Sequence, residues 1–259
     1  MQITKIVFSP TGGTQKVLDI LTDALAKEQG TADGARQIDL ADPFIDETDI
    51  EVAPDSLAVI AMPCFGERAP EVAMKRLSRV NGSGAKCIVV NVYGNRAFDD
   101  ALLEMADGAT EAGFKVIAAI AAVAEHSIMH QFATSRPDGA DELKLGEFAK
   151  AIAEQLQGET AATQPRIPGN RPYVKAGAVP LVPKVTGQCV SCGACAKSCA
   201  VTAINTADFS ADKSLCIACM RCVETCPQNA RSISKLMVKA AGMAIKKAAS
   251  QRKECELYL

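Results

Sequence analysis

Cys189-x2-Cys192-x2-Cys195-x3-Cys199, then sixteen residues, then Cys216-x2-Cys219-x2-Cys222-x3-Cys226-Pro227 decide the nature of the second half of this chain. Eight of the eleven cysteines fall in these two copies of one spacing, offset by 27 residues. Thiolates two residues apart on a tight backbone grip neighbouring corners of an iron–sulfur cube. The fourth cysteine, three residues on, starts a helix that points away from the first three and so ligates the other cluster. The spacing predicts one [4Fe-4S] cluster on Cys189, Cys192, Cys195 and Cys226 and a second on Cys216, Cys219, Cys222 and Cys199. Paired CxxC knuckles also bind zinc, but a zinc ribbon does not need a third and fourth cysteine at these spacings twice over. A disulfide framework belongs to small secreted domains, and nothing here reads as secreted.

This stretch resembles a bacterial two-cluster ferredoxin. One departure is visible: Ala200 follows Cys199 where Pro227 follows Cys226. It touches local rigidity and not ligation.

The other end of the chain carries a second motif. Residues 2–9 read as a strand, and Val17, Leu18, Leu21 and Leu25 recur at helical spacing. Between them lies Ser9-Pro10-Thr11-Gly12-Gly13-Thr14. Gly12 and Gly13 let the backbone turn its N–H groups inward, the helix dipole adds partial positive charge, and Ser9, Thr11 and Thr14 offer hydroxyls. That makes a phosphate cradle with no basic residue; an ordinary Ser/Thr helix cap is the plainer reading. The pattern resembles the FMN phosphate loop of flavodoxins.

Further strands are expected over 35–41, 56–63, 85–93 and 114–124, with helices over 71–80, 97–112 and 140–157. Alternating strands and helices imply a parallel sheet covered on both faces. In the flavodoxin-like order 2-1-3-4-5, ligands bind beyond the strand ends at the switch point. The loops at 63–70 and 93–100 then meet the phosphate loop. Phe65 and Tyr93 are candidates to stack on a flat ring, with Gly66, Gly94 and Asn95 beside them. Arg68 or Arg96 can stabilise an anionic flavin, or can pair with Glu67 or Asp99. His126 and Ser127 follow the fifth strand, and His126 can serve as a proton donor near neutral pH, with His130 as neighbour. Cys64 and Cys87 read as small buried fillers, and Cys255 as an inert thiol near a frayed end.

These stretches, with residues 125–127 and 136–138, together resemble bacterial ferredoxin proteins whose N-terminal region is similar to flavodoxins. The resemblance implies an α/β flavodoxin-like domain (1–158), a Pro-rich linker (159–184), a small 2[4Fe-4S] ferredoxin domain (185–234) and a C-terminal helix (235–259). It implies FMN and two [4Fe-4S] clusters in one electron-transfer chain, with ferredoxin or a cluster-bearing enzyme as redox partner. The alternative is an FMN-dependent reductase of a small molecule, held under residues 126–138 with His126 as acid. No second glycine fingerprint of the dinucleotide type follows a strand, so NAD(P)H is not the expected immediate donor.

Charge divides the chain. Residues 1–158 hold 14 Lys and Arg against 24 Asp and Glu, a net of −10; residues 159–259 hold 14 against 6, a net of +8. The halves are expected to attract, with one cluster near the flavin. Fully extended at ~3.1 Å per residue, the linker reaches roughly 80 Å and fixes no distance by itself. Residues 232–253 read as a basic helix with Leu236, Met237, Ala240, Ala244 and Ile245 on its apolar side. With no apolar run near ~18 residues and no signal peptide, a cytoplasmic protein with no membrane span and no nucleic-acid partner is expected.

Overall fold

A computed structural model describes residues 1–30, 35–45, 50–158, 164–177 and 180–259. The first half runs β1 (Ile3–Val7), α1 (Gly13–Gln29), β2 (Arg36–Asp39), β3 (Ile50–Glu51), β4 (Leu57–Pro63), α2 (Glu71–Leu77), β5 (Val80–Asn81), β6 (Lys86–Tyr93), α3 (Ala101–Glu111), β7 (Lys115–Val123) and α4 (Gly139–Gln157). The second half runs β8 (Lys184–Val185), α5 (Ala194–Lys197), α6 (Arg221–Glu224), β9 (Arg231–Ser232), α7 (Lys235–Ala249) and β10 (Glu256–Tyr258).

The main sheet has the order β10-β7-β6-β4-β1-β2. Strands β6 and β7 are buried almost end to end, as a sheet covered on both faces requires. Alternate side chains feed two cores. Ile6, Val89 and Leu102 share one, while Val7, Val90 and the apolar stripe of α1 share the other. The chain steps from β1 to β2 on one side and then to β4 on the other, so a crevice opens beyond the ends of β1 and β4. The loops after β1, β4, β6 and β7 all end at that edge.

The sheet is mixed where an all-parallel one was expected. Strand β10 pairs antiparallel with β7, Leu257 opposite Ile120. The C-terminal end is therefore not frayed, and Cys255 is 4% exposed, packed in the second core. Three residues, Glu256-Leu257-Tyr258, are too few to read as a strand. What fixes them lies in the first half. Asn95 Nδ2 donates to Ala249 O (2.7 Å) and Gln251 O (2.8 Å), and Arg136 Nη1 donates to Lys253 O (2.8 Å).

Residues 164–177 are not an extended tether. Asp100 accepts from the backbone N–H groups of Asn170 (2.9 Å) and Val174 (2.6 Å). Asp107 binds Arg171 and the Tyr173 hydroxyl, both at 2.5 Å. Gly177 N donates to Gly66 O at 2.8 Å. Gly66 has φ +54°, and a Cβ there would fall 2.3 Å from Gly177 O, so only glycine lets the two segments touch.

Across the seam, Arg76 donates to Leu40 O and to Ala200 O, each at 2.8 Å. Arg171, Arg221 and Arg252 of the basic half pair with Asp107, Asp39 and Asp138 of the acidic half. Helix α7 turns Val238, Ala241 and Ile245 onto Met129 and Phe132. Its packed stripe thus departs from the expected one, since Leu236 is 78% exposed. Among the described residues no helix is long and apolar enough to cross a membrane.

The buried ion pair of Arg136 and Asp141 (2.5 and 2.8 Å) ties the 125–138 loop to α4 and to the C-terminal strand. Replacing the arginine by methionine leaves Asp141, 1% exposed, as a buried charge whose nearest remaining cation is Arg252 at 3.4 Å, with the Asp138 N–H (2.9 Å) still donating to it. We expect Arg136→Met to lower stability by about 3 kcal/mol in denaturant unfolding. Adding Asp141→Leu should restore much of that loss; a single variant as stable as the parent would show the pair is not the anchor.

Candidate functional site

Two cavities meet at the crevice. The first, about 390 Å³, is lined from the sheet side by Phe65, Gly66, Tyr93, Gly94 and His126. Its far wall is Leu181, Ile217 and Ala218 with Met237 and Ile245 of α7. A narrow extension of about 70 Å³ runs from Phe65, Tyr93 and His126 to Thr11, Gly13 and Thr14. The second cavity, about 690 Å³, shares Ser127 and Ile128 with the first and is bounded by Thr11, His130, Lys235 and Lys239.

At the end of the narrow extension, α1 follows Gly12, whose φ of +86° is left-handed and which has no side chain to cap the helix. Ser9 Oγ accepts from Gln15 N at 2.9 Å, so this hydroxyl answers one first-turn amide and keeps its own proton to donate. A helix start with glycine at its N-cap, facing a cavity, is a place for an anion. Here the residues present fit a phosphate.

The aromatic candidates occupy the wall. Tyr93 is only 4% exposed and meets Phe98 edge-on at 5.6 Å; Phe65 meets Phe8 edge-on at 6.4 Å. Gly94 serves His126 first, because a Cβ there would lie 2.7 Å from the imidazole ring. The Asn95 side chain turns elsewhere. Its amide oxygen and nitrogen bind the C-terminal segment, and it lines none of these cavities. Arg96 lines the first cavity but pairs with Asp99 and, at 3.4 Å, with Glu67. Arg68 turns away to Glu104 (2.6 Å) and the Tyr173 ring (4.6 Å).

His126 also departs from expectation. Its Nδ1 accepts from Ile128 N (3.2 Å) and Met129 N (3.3 Å), so the proton sits on Nε2. Burial pushes its pKa down to about 4. At neutral pH it is a fixed N–H donor and no store of protons. His130, exposed, binds Glu125 at 2.7 Å instead. Burial raises the Cys64 thiol to about 12 and keeps it protonated.

The eight motif cysteines gather in two groups. Cys189, Cys192, Cys195 and Cys226 line one cavity with Phe209 and Arg231. Cys199, Cys216, Cys219 and Cys222 lie within electrostatic reach of one another. The two copies repeat in detail. Gly193 (φ +77°) and Met220 (φ +62°) start α5 and α6, and Cys199 and Cys226 Sγ accept from Ala203 N (3.3 Å) and Ala230 N (3.2 Å). Among the described residues, no three His, Cys, Asp or Glu converge on a point that a single metal ion would fill. Ile217 and Ala218, which wall the first cavity, sit between Cys216 and Cys219. The reading of the sequence placed neither there, because nothing local announces which cysteine loop faces the other half.

A neutral His126 is checked by imidazole NMR: Nδ1 should stay unprotonated from pH 8 to 5 and gain a proton near pH 4. The folded value lies below the ordinary 6.5, so this group's contribution is present above about pH 6.5 and lost as pH falls through about 4. Titration at the ordinary value would sink the assignment.

Residues 210–232 match the 4Fe-4S binding domain family. No curated protein matches the chain. Among solved structures, the rubredoxin oxygen:oxidoreductase of Desulfovibrio gigas is 14% identical, covering 60% of this chain at a TM-score of 0.43. This chain spans only 36% of that protein's length. The Megasphaera elsdenii flavodoxin is 18% identical, covering 59% of this chain and 99% of its own at 0.38. The Streptococcus pneumonia TIGR4 flavodoxin is 22% identical, covering 59% and 99% at 0.37.

Proposed function

We propose that this chain is an electron-transfer iron–sulfur flavoprotein, with FMN in the crevice and two [4Fe-4S] clusters in the second half. One observation carries the reading. The loop between Cys216 and Cys219 forms a wall of the same cavity as Phe65 and Tyr93, so a ring held there would lie one residue's thickness from a ligating thiolate. When bound, FMN supplies one- and two-electron chemistry and each cluster one-electron chemistry.

The chain's own residues divide the remaining work. The hydroxyls of Ser9, Thr11 and Thr14 and the N–H groups around Gly12 and Gly13 would hold the phosphate. Phe65, Gly66, Tyr93 and Gly94 would bound the ring and exclude water, and His126 would offer it a neutral N–H. Cys199, Cys216, Cys219 and Cys222 would hold the cluster nearer the flavin, and Cys189, Cys192, Cys195 and Cys226 the outer one. A cube spreads its thiolates over separate corners, whereas zinc draws them to a point.

The internal repeat suggests where a redox partner docks. Val190, the counterpart of Ile217 one 27-residue period earlier, is 62% exposed, and Cys192 beside it is also exposed. A partner at that face would approach the outer quartet as the crevice approaches the inner one. The net +8 of this half would speed an acidic partner's encounter, and salt would slow it.

A second reading, reductase of a small molecule, is favoured by the cavity of about 690 Å³ adjoining the first. Gln131 and His130 line it together with Lys235 and Lys239 and with Glu125 and Glu224, so both signs of charge are present. A substrate there would be small and polar, with electrons arriving from the chain's own clusters.

Anaerobic purification should yield about eight irons, about eight sulfides and one FMN per chain. Iron without flavin would remove both readings. Gly12→Val, strained at φ +86° by about 1–2 kcal/mol, should weaken FMN retention roughly 5- to 30-fold. Iron content should not change; equal loss of iron would mean the variant unfolds the chain and does not test the loop.

A further inference from the structure

The two cysteine motifs repeat every 27 residues, and one buried position breaks the repeat. Ile204 follows Cys199 by five residues and is 7% exposed; its counterpart after Cys226 is Arg231, 4% exposed. An aliphatic side chain thus suffices at this place in the first copy. In the second, strand β9 carries a guanidinium into the centre of the half.

Arg231 Nη1 donates to Phe209 O at 2.8 Å and reaches Cys195 Sγ at 3.7 Å, while Nη2 donates to Pro183 O at 3.2 Å. Its Nε has no partner. Both quartets feel it. It lines the cavity of Cys189, Cys192, Cys195 and Cys226. Arg231 also lies within hydrogen-bonding and electrostatic reach of the Cys222 sulfur and within electrostatic reach of Cys216.

No carboxylate among the described residues pairs with this cation. Carbonyl oxygens alone do not neutralise a buried guanidinium, and an uncompensated charge inside a protein is strongly unfavourable. The anions within reach are thiolates of two quartets. Each thiolate-ligated cluster is a net anion and becomes more negative by one charge when it accepts an electron.

We propose that Arg231 is the shared counter-ion of both clusters and holds the reduction potentials of the two upward together. This rests on the iron–sulfur reading of the cysteines. A fixed positive charge between two anions favours the more negative, reduced state of each. Because arginine keeps its proton throughout the working range, the one-electron reduction of either cluster takes up no proton here. The same charge also weakens the repulsion between an electron on one cluster and an electron on the other.

The test uses the anaerobically purified full chain, with iron and sulfide analysis and an EPR-monitored potentiometric titration. Arg231→Gln removes the charge and keeps the polarity. At fixed potential the reduced-to-oxidised ratio of each cluster should fall tenfold or more, a shift of about 59 mV for one electron. A loaded Arg231→Gln protein in which either cluster keeps its potential overturns the shared role. If Arg231→Gln does not assemble clusters, Arg231→Lys decides. Assembly with lysine shows that the positive charge is what the clusters require. Failure of both variants shows that the guanidinium only fills space, which also overturns the proposal. Wild-type protein without iron and sulfide would instead defeat the underlying reading, before any variant is compared.

Discussion

The antiparallel pairing of β10 with β7 fixes the C-terminal end of the cluster-bearing half to the main sheet. Residues 164–177 lie along α3 and the residues after α7 return to the sheet, so the intervening segment is a closed loop anchored twice. A tether of this length joined at one end would sample many positions. Closing it adds only a slowly growing entropic cost with length, which the apolar edge of β7 and the contacts of Asn95 and Arg136 offset. The crevice wall formed by Ile217 and Ala218 therefore keeps a defined place opposite Phe65.

Buried arginines hold the separate parts together, each by a different kind of partner. Arg136 meets a carboxylate within its own half. Arg76 joins carbonyl oxygens of the two halves. Arg231 joins β9 to the carbonyls of Pro183 and Phe209 and to a thiol. The planar fork of donors lets one side chain reach several acceptors at once, which a lysine cannot do. The charge asymmetry of the halves appears at their seam as arginines facing aspartates, most of them partly exposed and individually worth little.

Much of the fold was legible because its signals are local. The strands at 57–63, 86–93 and 115–123 are continuous apolar runs, and α1 carries a plain helical stripe. The cysteine spacing is legible in the same local way, since helix direction alone is expected to send the fourth thiol across. Other features depend on contacts that the local pattern does not announce, some of them between residues more than 100 apart. Asn95 looked like a loop residue near a ligand, yet its partners are Ala249 and Gln251. His126 looked like an acid near neutral pH until two backbone amides met its Nδ1. Arg231 could have been noticed by aligning the two motifs, because the break from Ile204 is visible in the sequence; its burial is not.

The return of β10 sets an order on biosynthesis. Strand β7 ends at Val123 and its covering strand starts at Glu256, 133 residues later. At about 5–20 residues per second, the ribosome needs roughly 7–27 s to make that stretch. Throughout that interval the apolar edge from Val116 to Val123 has only β6 beside it. Exposed strand edges recruit other chains, so the growing polypeptide needs a transient cover there, from a chaperone or from its own cluster-bearing half, until the last residues arrive.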